Sequence, residues 1–302
     1  MFISLLKRIL VKPYLFVFPF VVYAKQLVFR RRVESSNIRG NVTQSECRNL
    51  ESILEVSIFI PVAPKDIRCI APTVNSLRNN LQHPISEIIV CGRYEESLGR
   101  ECIELGVKFI DERDVQPVER DDINYICEGI DRSGWIYQQL LKINASNRCK
   151  SDHILIWDCD TEMLKPTIFE IQGKLIIEYS EELHTPYDVC TNKLIGQSNG
   201  LKLGFTCHKI LFSKDILRAM IEEIEQRFQS PWYDAIVSCL DSREASSFSE
   251  YNVYSHYALT NYSESFKIRH WRNFADVRTN NLLRNVLVRR MFSSVSYHSW
   301  SQ

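Results

Sequence analysis

Apolar positions along the chain fall into short blocks, and their period changes from block to block. Residues 56–62 (VSIFIPV), 87–91 (EIIVC), 107–110 (VKFI) and 153–157 (HILIW) are brief apolar runs bounded by turn residues. Such runs predict buried strands. Between them, residues 67–79, 97–105 and 134–145 (GWIYQQLLKINA) place apolar side chains at helical spacing. Strands alternating with helices at this spacing predict a single α/β domain with an open, mostly parallel twisted sheet and helices on both faces. Residues 216–228 form an amphipathic pattern with Leu217, Ile221 and Ile224 inward. The C-terminal run NNLLRNVLVRRMF has helical spacing and a basic edge. Residues 276–302 thus read as a helical tail that either docks beside the N-terminal arm at a membrane or closes the domain.

The most apolar stretch, residues 9–29, follows a different rule. Its uncharged part spans 13–24, too short for a membrane-spanning helix of about 20 residues. Pro13 and Pro19 predict that no long regular helix forms here. Before Glu34 the chain carries Lys7, Arg8, Lys12, Lys25, Arg30, Arg31 and Arg32 and no acid. Residues 1–33 therefore read as a basic, apolar segment lying on an anionic membrane face, or as an arm that packs on the domain or a partner. Residues 34–55 read as a polar linker, and the domain proper runs from 56 to 275.

Composition narrows the class. The chain has 302 residues, 45% of them hydrophobic, enough for one large α/β domain. Its 37 basic and 37 acidic residues give no global attraction to nucleic acid. The ten cysteines include no C-x-x-C pair, and several sit inside strand-like runs such as IIVCG. They read as free, buried thiols of a reducing cytosol. With ten glycines in all, there is no G-x-G-x-x-G and no G-x-x-x-x-G-K-[ST]. A bound nucleotide must have its diphosphate held by other means, a metal ion first among them.

The strand-like run ILIW leads directly into Asp158, Asp160 and Glu162. At alternate positions of a strand these carboxylates share one face. Ligands of open α/β sheets sit beyond the carboxyl ends of the strands. One or two carboxylates together with phosphate oxygens are the usual donor set for Mg2+, and Mn2+ accepts the same set.

Longer blocks carry a resemblance. HILIWDCDTEML (153–164) resembles the D-x-D segment of GT-A-fold glycosyltransferases. RSGWIYQQLLKI (132–143), GFTCHKILFSKDIL (204–217) and SSFSEYNVYSHYAL (246–259) resemble blocks of an uncharacterised bacterial family of GT-A-like enzymes found among surface-polysaccharide genes. The resemblance covers roughly 56–275. It implies a GT-A-like domain that moves a sugar from a nucleotide-sugar donor to a glycan or lipid-linked acceptor. The setting it implies is bacterial: the cytoplasm, at the periphery of the inner membrane.

By the same resemblance, Asp158 faces the donor and, with Asp160, binds Mn2+ or Mg2+, with His270 as a third ligand. Glu250 in FSEY acts on the acceptor. Ser247 and Glu250 also fit a helix capping box. His208 supports donor or acceptor, and Pro61, Val62, Ala63 and Lys65 cradle the base. Arg132 meets a donor phosphate. Gln138 and Gln139 diverge by about 100° on a helix, so one of them, taken as Gln138, faces the cleft. Two other classes fit paired carboxylates or the fold: a nucleotidyltransferase acting on a sugar phosphate, and a non-catalytic glycan-binding protein. The first lacks its expected glycine-rich loop in IPVAPKD, and the intact D-x-D argues against the second.

Overall fold

The computed structural model describes residues 2–35, 40–43, 46–47, 50–196, 200–275 and 282–297, with side chains of the first helix described from Val17 onward. Helix α1 (Phe2–Ser35) leads through β1 (Asn41–Val42) to β2 (Val56–Pro61), α2 (Ile70–Asn80), β3 (Ile85–Gly92), α3 (Glu96–Leu105) and β4 (Lys108–Asp111). A small hairpin, β5 (Ile126–Cys127) and β6 (Ile130–Asp131), precedes α4 (Ser133–Asn144) and β7 (His153–Trp157). There follow β8 (Thr161–Met163), β9 (Glu170–Ile171), β10 (Lys174–Tyr179), α5 (Thr185–Ile195) and β11 (Lys209–Ser213). The chain ends with α6 (Lys214–Phe228), α7 (Trp232–Cys239), α8 (Glu250–Asn261), β12 (Phe266–His270), β13 (Asn273–Ala275), α9 (Leu282–Met291) and β14 (Ser294–Ser296).

The central sheet has the order β11-β7-β2-β3-β4, parallel throughout except for β11, which runs antiparallel to β7. All of β2 is buried, as is β7 from Ile154 onward. Strands covered on both faces have no polar side to show, which is why they read as continuous apolar runs. Because β2 and β7 are parallel neighbours, with Phe59 opposite Ile156, the loops after Pro61 and after Trp157 leave the sheet at the same edge. That edge carries the acidic motif.

Two smaller sheets stand beside the expected, mostly parallel one, in addition to the β5-β6 hairpin. One has the order β1-β12-β10-β9 and the other β13-β14-β8. Strands of two or three residues have no periodicity to read. So 34–55, expected as a linker, supplies β1, which pairs Asn41 with Ile268. The tail after 276 likewise supplies β14, which pairs with β8 directly after the acidic motif. In α6, Ile216, Leu217, Met220 and Ile224 are the buried positions, and Ile221 only packs alongside. All ten cysteines are free and buried.

The central and second sheets are joined by an ionic triad. Lys209 Nζ on β11 lies 2.6 Å from Glu178 Oε2 on β10, and Arg269 Nη2 on β12 lies 2.8 Å from Glu178 Oε1. Lys209 also lies over the Trp271 ring at 4.4 Å. Burial holds the Lys209 ammonium below its usual pKa, against the pull of Glu178.

Contrary to the reading of Pro13 and Pro19, α1 is one continuous helix. A proline inside a helix costs about 3 kcal/mol, and tertiary contacts from Phe18 onward work against that cost. Phe18 packs on Phe274, Tyr23 meets Phe292 edge-on, and Gln26 donates to the Asn273 carbonyl at 2.9 Å. Among the described residues, no helix is long and apolar enough to cross a membrane.

Candidate active site

The acidic motif is a turn, not an extension of the strand. β7 stops at Trp157, and Thr161 N donates back to the Asp158 carbonyl at 3.1 Å. Trp157 Nε1 donates to the Thr161 carbonyl (2.7 Å), and Thr73 Oγ1 of α2 donates to the Cys159 carbonyl (2.6 Å). Asp158 N donates to the His208 carbonyl (2.9 Å), fixing the turn to the antiparallel neighbour. Once the strand ends, the alternation that would align three carboxylates ends with it. Glu162 belongs to β8, opposite Val295 in another sheet.

Asp158 therefore has its own partners. Lys142 Nζ lies 2.6 Å from Asp158 Oδ1, and the Tyr251 hydroxyl donates to the same oxygen at 2.7 Å. Lys142 Nζ also lies 2.8 Å from Glu250 Oε1 and donates to the Tyr251 oxygen at 2.9 Å. The Lys142 and Glu250 side chains are 5% and 1% exposed, whereas Asp158 keeps 25%. Burial alone would lower the lysine pKa, but the Asp158 and Glu250 carboxylates raise it above the ordinary value. Burial raises the Glu250 pKa, opposed by Lys142 and assisted by Asp158. The ammonium thus neutralises one edge of the motif from within the protein.

Helix α4 makes this possible by presenting Gln139 and Lys142 one turn apart on one face. Gln139, with its amide nitrogen turned toward acceptors, donates to Glu250 Oε2 at 2.7 Å and to the Phe248 carbonyl at 2.9 Å. Gln139, buried at 3%, is the glutamine that joins the site. Gln138, chosen from the sequence, is half-buried elsewhere on the helix. The capping-box reading also changes. Ser249 is the N-cap of α8 and accepts from Asn252 N, which leaves Glu250 free to turn to Lys142. Ser247 instead shares a hydrogen bond with the Tyr125 hydroxyl at 2.9 Å.

The loop after β2 brings a further acid to the turn. Asp66 sits in the 3-10 turn Pro64–Cys69 after β2, and Cys159 Sγ approaches its carbonyl at 3.5 Å. Burial raises the Asp66 pKa; Lys65 opposes this, and the negative charge of Asp160 adds to it. Asp160 accepts a long bond from Thr161 Oγ1 (3.3 Å), and its carbonyl accepts from Tyr297 N (2.9 Å). His208 adopts a left-handed backbone (φ 55°), with Nδ1 3.0 Å from Ser296 Oγ and 3.3 Å from Thr161 Oγ1. A histidine tolerates that conformation better than a branched residue, and it places the ring beside the turn, 5.1 Å from Trp271.

The remaining sequence candidates are spread out. Pro61 and Val62 are buried at the end of β2, with Val62 N bonded to the Cys91 carbonyl, and Lys65 is exposed beyond them. Arg132 lies over the Trp135 ring at 5.2 Å and donates from Nε to the Ala245 carbonyl at 2.8 Å. His270 Nε2 is 3.5 Å from Glu181 Oε2, and its ring lies between Tyr179 and Phe29. Lys142, Tyr251 and Asp66 escaped sequence reasoning; the one available signal was the Gln139-x-x-Lys142 spacing on α4. Among the described residues, no three His, Cys, Asp or Glu side chains are already grouped to hold an ion.

No curated protein matches the chain. Solved structures to which it is similar include mouse xyloside xylosyltransferase 1 in its apo form, at 12% identity and TM-score 0.39, covering 83% of this chain and 99% of that one. The galactosyltransferase LgtC in complex with donor and acceptor sugar analogs matches at 12% identity and TM-score 0.37, covering 81% and 87%. Glucosyl-3-phosphoglycerate synthase from Mycobacterium tuberculosis, in complex with Mn2+, UDP and glucosyl-3-phosphoglycerate, matches at 14% and 0.36, covering 60% and 68%. Superpositions this loose carry no conclusion about the present site. A family model, described as a family of unknown function (DUF6492), matches residues 76–288. That span takes in α4, the acidic turn and α8 and is well over half of the chain, which therefore belongs to the DUF6492 family.

Proposed function

We propose that the edge of the central sheet around Asp158 and Asp160 is the active site of a glycosyltransferase. It takes a sugar from a nucleotide-sugar donor and passes it to a glycan or lipid-linked acceptor, in the synthesis of bacterial surface polysaccharide. The observation that carries the reading is an asymmetry. Lys142 neutralises Asp158 from inside the protein, while the loop after β2 brings Asp66 to the same end of the sheet as Asp160, with Cys159 Sγ 3.5 Å from the Asp66 carbonyl. Hard carboxylate oxygens gathered at the carboxyl end of a parallel sheet suit a divalent cation shared with substrate phosphates. Two such ligands suffice, because phosphate oxygens and water complete the shell.

In this reading Asp160 and Asp66 hold Mn2+ or Mg2+, and Asp158 faces the donor. When bound, the ion offsets the charge that builds on the leaving diphosphate. The chain's own residues do the positioning. Lys142 and Tyr251 fix the Asp158 carboxylate in one orientation. Glu250, at 1% exposure, acts as a positioning residue that anchors Lys142. The loop from Pro61 to Lys65 shares the same edge of the sheet and is placed to meet the base. His208 flanks the turn on the far side. His270 remains the candidate third ligand, with Glu181 3.5 Å from its Nε2 as the carboxylate that would orient the ring.

The test is a thermal-shift screen of UDP-, GDP-, CMP- and dTDP-sugars, each with and without Mn2+. Metal-dependent stabilisation by one nucleotide class supports the reading, because a ligand at 100 times its Kd adds about 2.7 kcal/mol. Transfer or hydrolysis of that donor then establishes the chemistry. No shift with any donor would overturn it.

A further inference from the structure

A row of apolar side chains runs along the outer face of α1. Val17, Phe20, Val21 and Val28 are 56%, 51%, 58% and 66% exposed. With Ala24 they follow the i, i+3, i+4, i+7, i+11 spacing of a single helix face. The opposite face is the one that packs, through Phe18, Val22 and Phe29. This helix therefore has two apolar faces, and the protein covers one of them.

Helix α9 repeats the pattern. It packs against α1, and it exposes Leu282, Leu283 and Val286 at 75%, 69% and 42%. Basic residues extend both rows. Arg31 continues the α1 face, Lys25 flanks it, and Arg289 and Arg290 continue the α9 face; all four are exposed. Neither row contains a carboxylate. The single acid of α1, Glu34, is bonded to Arg30 at 2.8 Å, and α9 has none.

We propose that α1 and α9 together form a docking surface for an anionic lipid bilayer, on which the protein lies without crossing it. Exposed apolar rows ending in basic residues suit the boundary between acyl chains and acidic headgroups. A second copy of the chain suits them less, because a twofold interface would set one basic, acid-free surface against another. The inference does not depend on the reaction at the acidic turn, and its test is separate from the donor screen.

The test is co-sedimentation of the full chain with vesicles of phosphatidylcholine alone or mixed with phosphatidylglycerol. Binding is expected to the mixed vesicles, weakening with salt as exposed charges are screened. A Val21→Glu, Val28→Glu variant should lose about tenfold or more of the bound fraction. Leu282→Gln with Leu283→Gln on α9 should do the same, a second route should the α1 variant fold poorly by circular dichroism. Unchanged binding in correctly folded variants would overturn the proposal, as would no binding to either vesicle. So would a lipid-free dimer, seen by analytical ultracentrifugation, that the same substitutions abolish.

Discussion

Lys142 Nζ lies 2.8 Å from Glu250 Oε1 in a site where the lysine side chain is 5% exposed and the glutamate 1%. One residue comes from the helix before β7 and the other from a helix that begins about a hundred positions later. Their pairing decides how the acidic turn is held, and Asp158 is its third member.

Removing the cation should therefore cost more than removing a surface charge. Lys142→Met leaves Glu250 buried with no counter-charge, and breaking a buried pair in this way typically costs about 3–5 kcal/mol. Urea denaturation should show that loss in the single variant. Adding Glu250→Gln should restore much of it, since the stranded charge is gone. Additive losses would mean that the two residues are not coupled.

The turn itself should behave differently. Asp160 lies outside the Lys142 cluster, so Asp160→Ala is expected to melt close to the parent without ligand. It should lose the metal-dependent part of any nucleotide-sugar stabilisation, and with it donor turnover. Full turnover in Asp160→Ala would remove the metal from the proposed site.

The ionic triad between the sheets offers a second stability test. Glu178 is the single acid between Lys209 and Arg269. Glu178→Gln leaves two buried cations facing one another and should destabilise by about 3–5 kcal/mol. Lys209→Met should cost less, because the Arg269–Glu178 pair survives. Chemical denaturation of the two variants gives the order directly.

A pH effect follows from His83. Its Nδ1 lies 3.0 Å from the Leu54 carbonyl, and its Nε2 accepts from Phe169 N at 2.8 Å. The two bonds together require the neutral ring, since a protonated Nε2 would point a hydrogen at an N–H. Burial lowers the pKa of His83, against the opposing pull of the Leu54 carbonyl. The folded state thus binds fewer protons than the unfolded state as the pH drops below the ordinary histidine range near 6.5. Stability should be full above that value and fall as the pH descends toward the folded-state pKa. Unfolding free energies at pH 7.5 and pH 5.5 should show the loss, and His83→Gln should flatten it.

Much of the central sheet was legible in the residues. Residues 56–62, 87–91 and 153–157 are apolar runs because those strands are covered on both faces, and burial on both faces leaves no alternation to misread. The acidic turn was legible as chemistry, since Asp158 and Asp160 follow such a strand. The short strands Asn41–Val42 and Ser294–Ser296 were not, because two or three residues carry no period and their pairing with β12 and β8 joins residues more than a hundred positions apart. The long N-terminal helix was hidden by Pro13 and Pro19; the helix around Pro19 is held by packing on Phe274 and Phe292.

By itself the sequence determined that a buried parallel strand ends in carboxylates and that no glycine loop stands ready for a diphosphate. What the clustered charge meets was decided by tertiary structure. The question raised by three acids at alternate positions has two answers, because the strand stops after Trp157 and the side chains part. Asp158 turns to Lys142, Asp160 stays at the turn with Thr161, and Glu162 leaves for another sheet. Local periodicity fixes which face a residue presents while an element lasts. Where the element ends, the partners come from wherever the fold brings them.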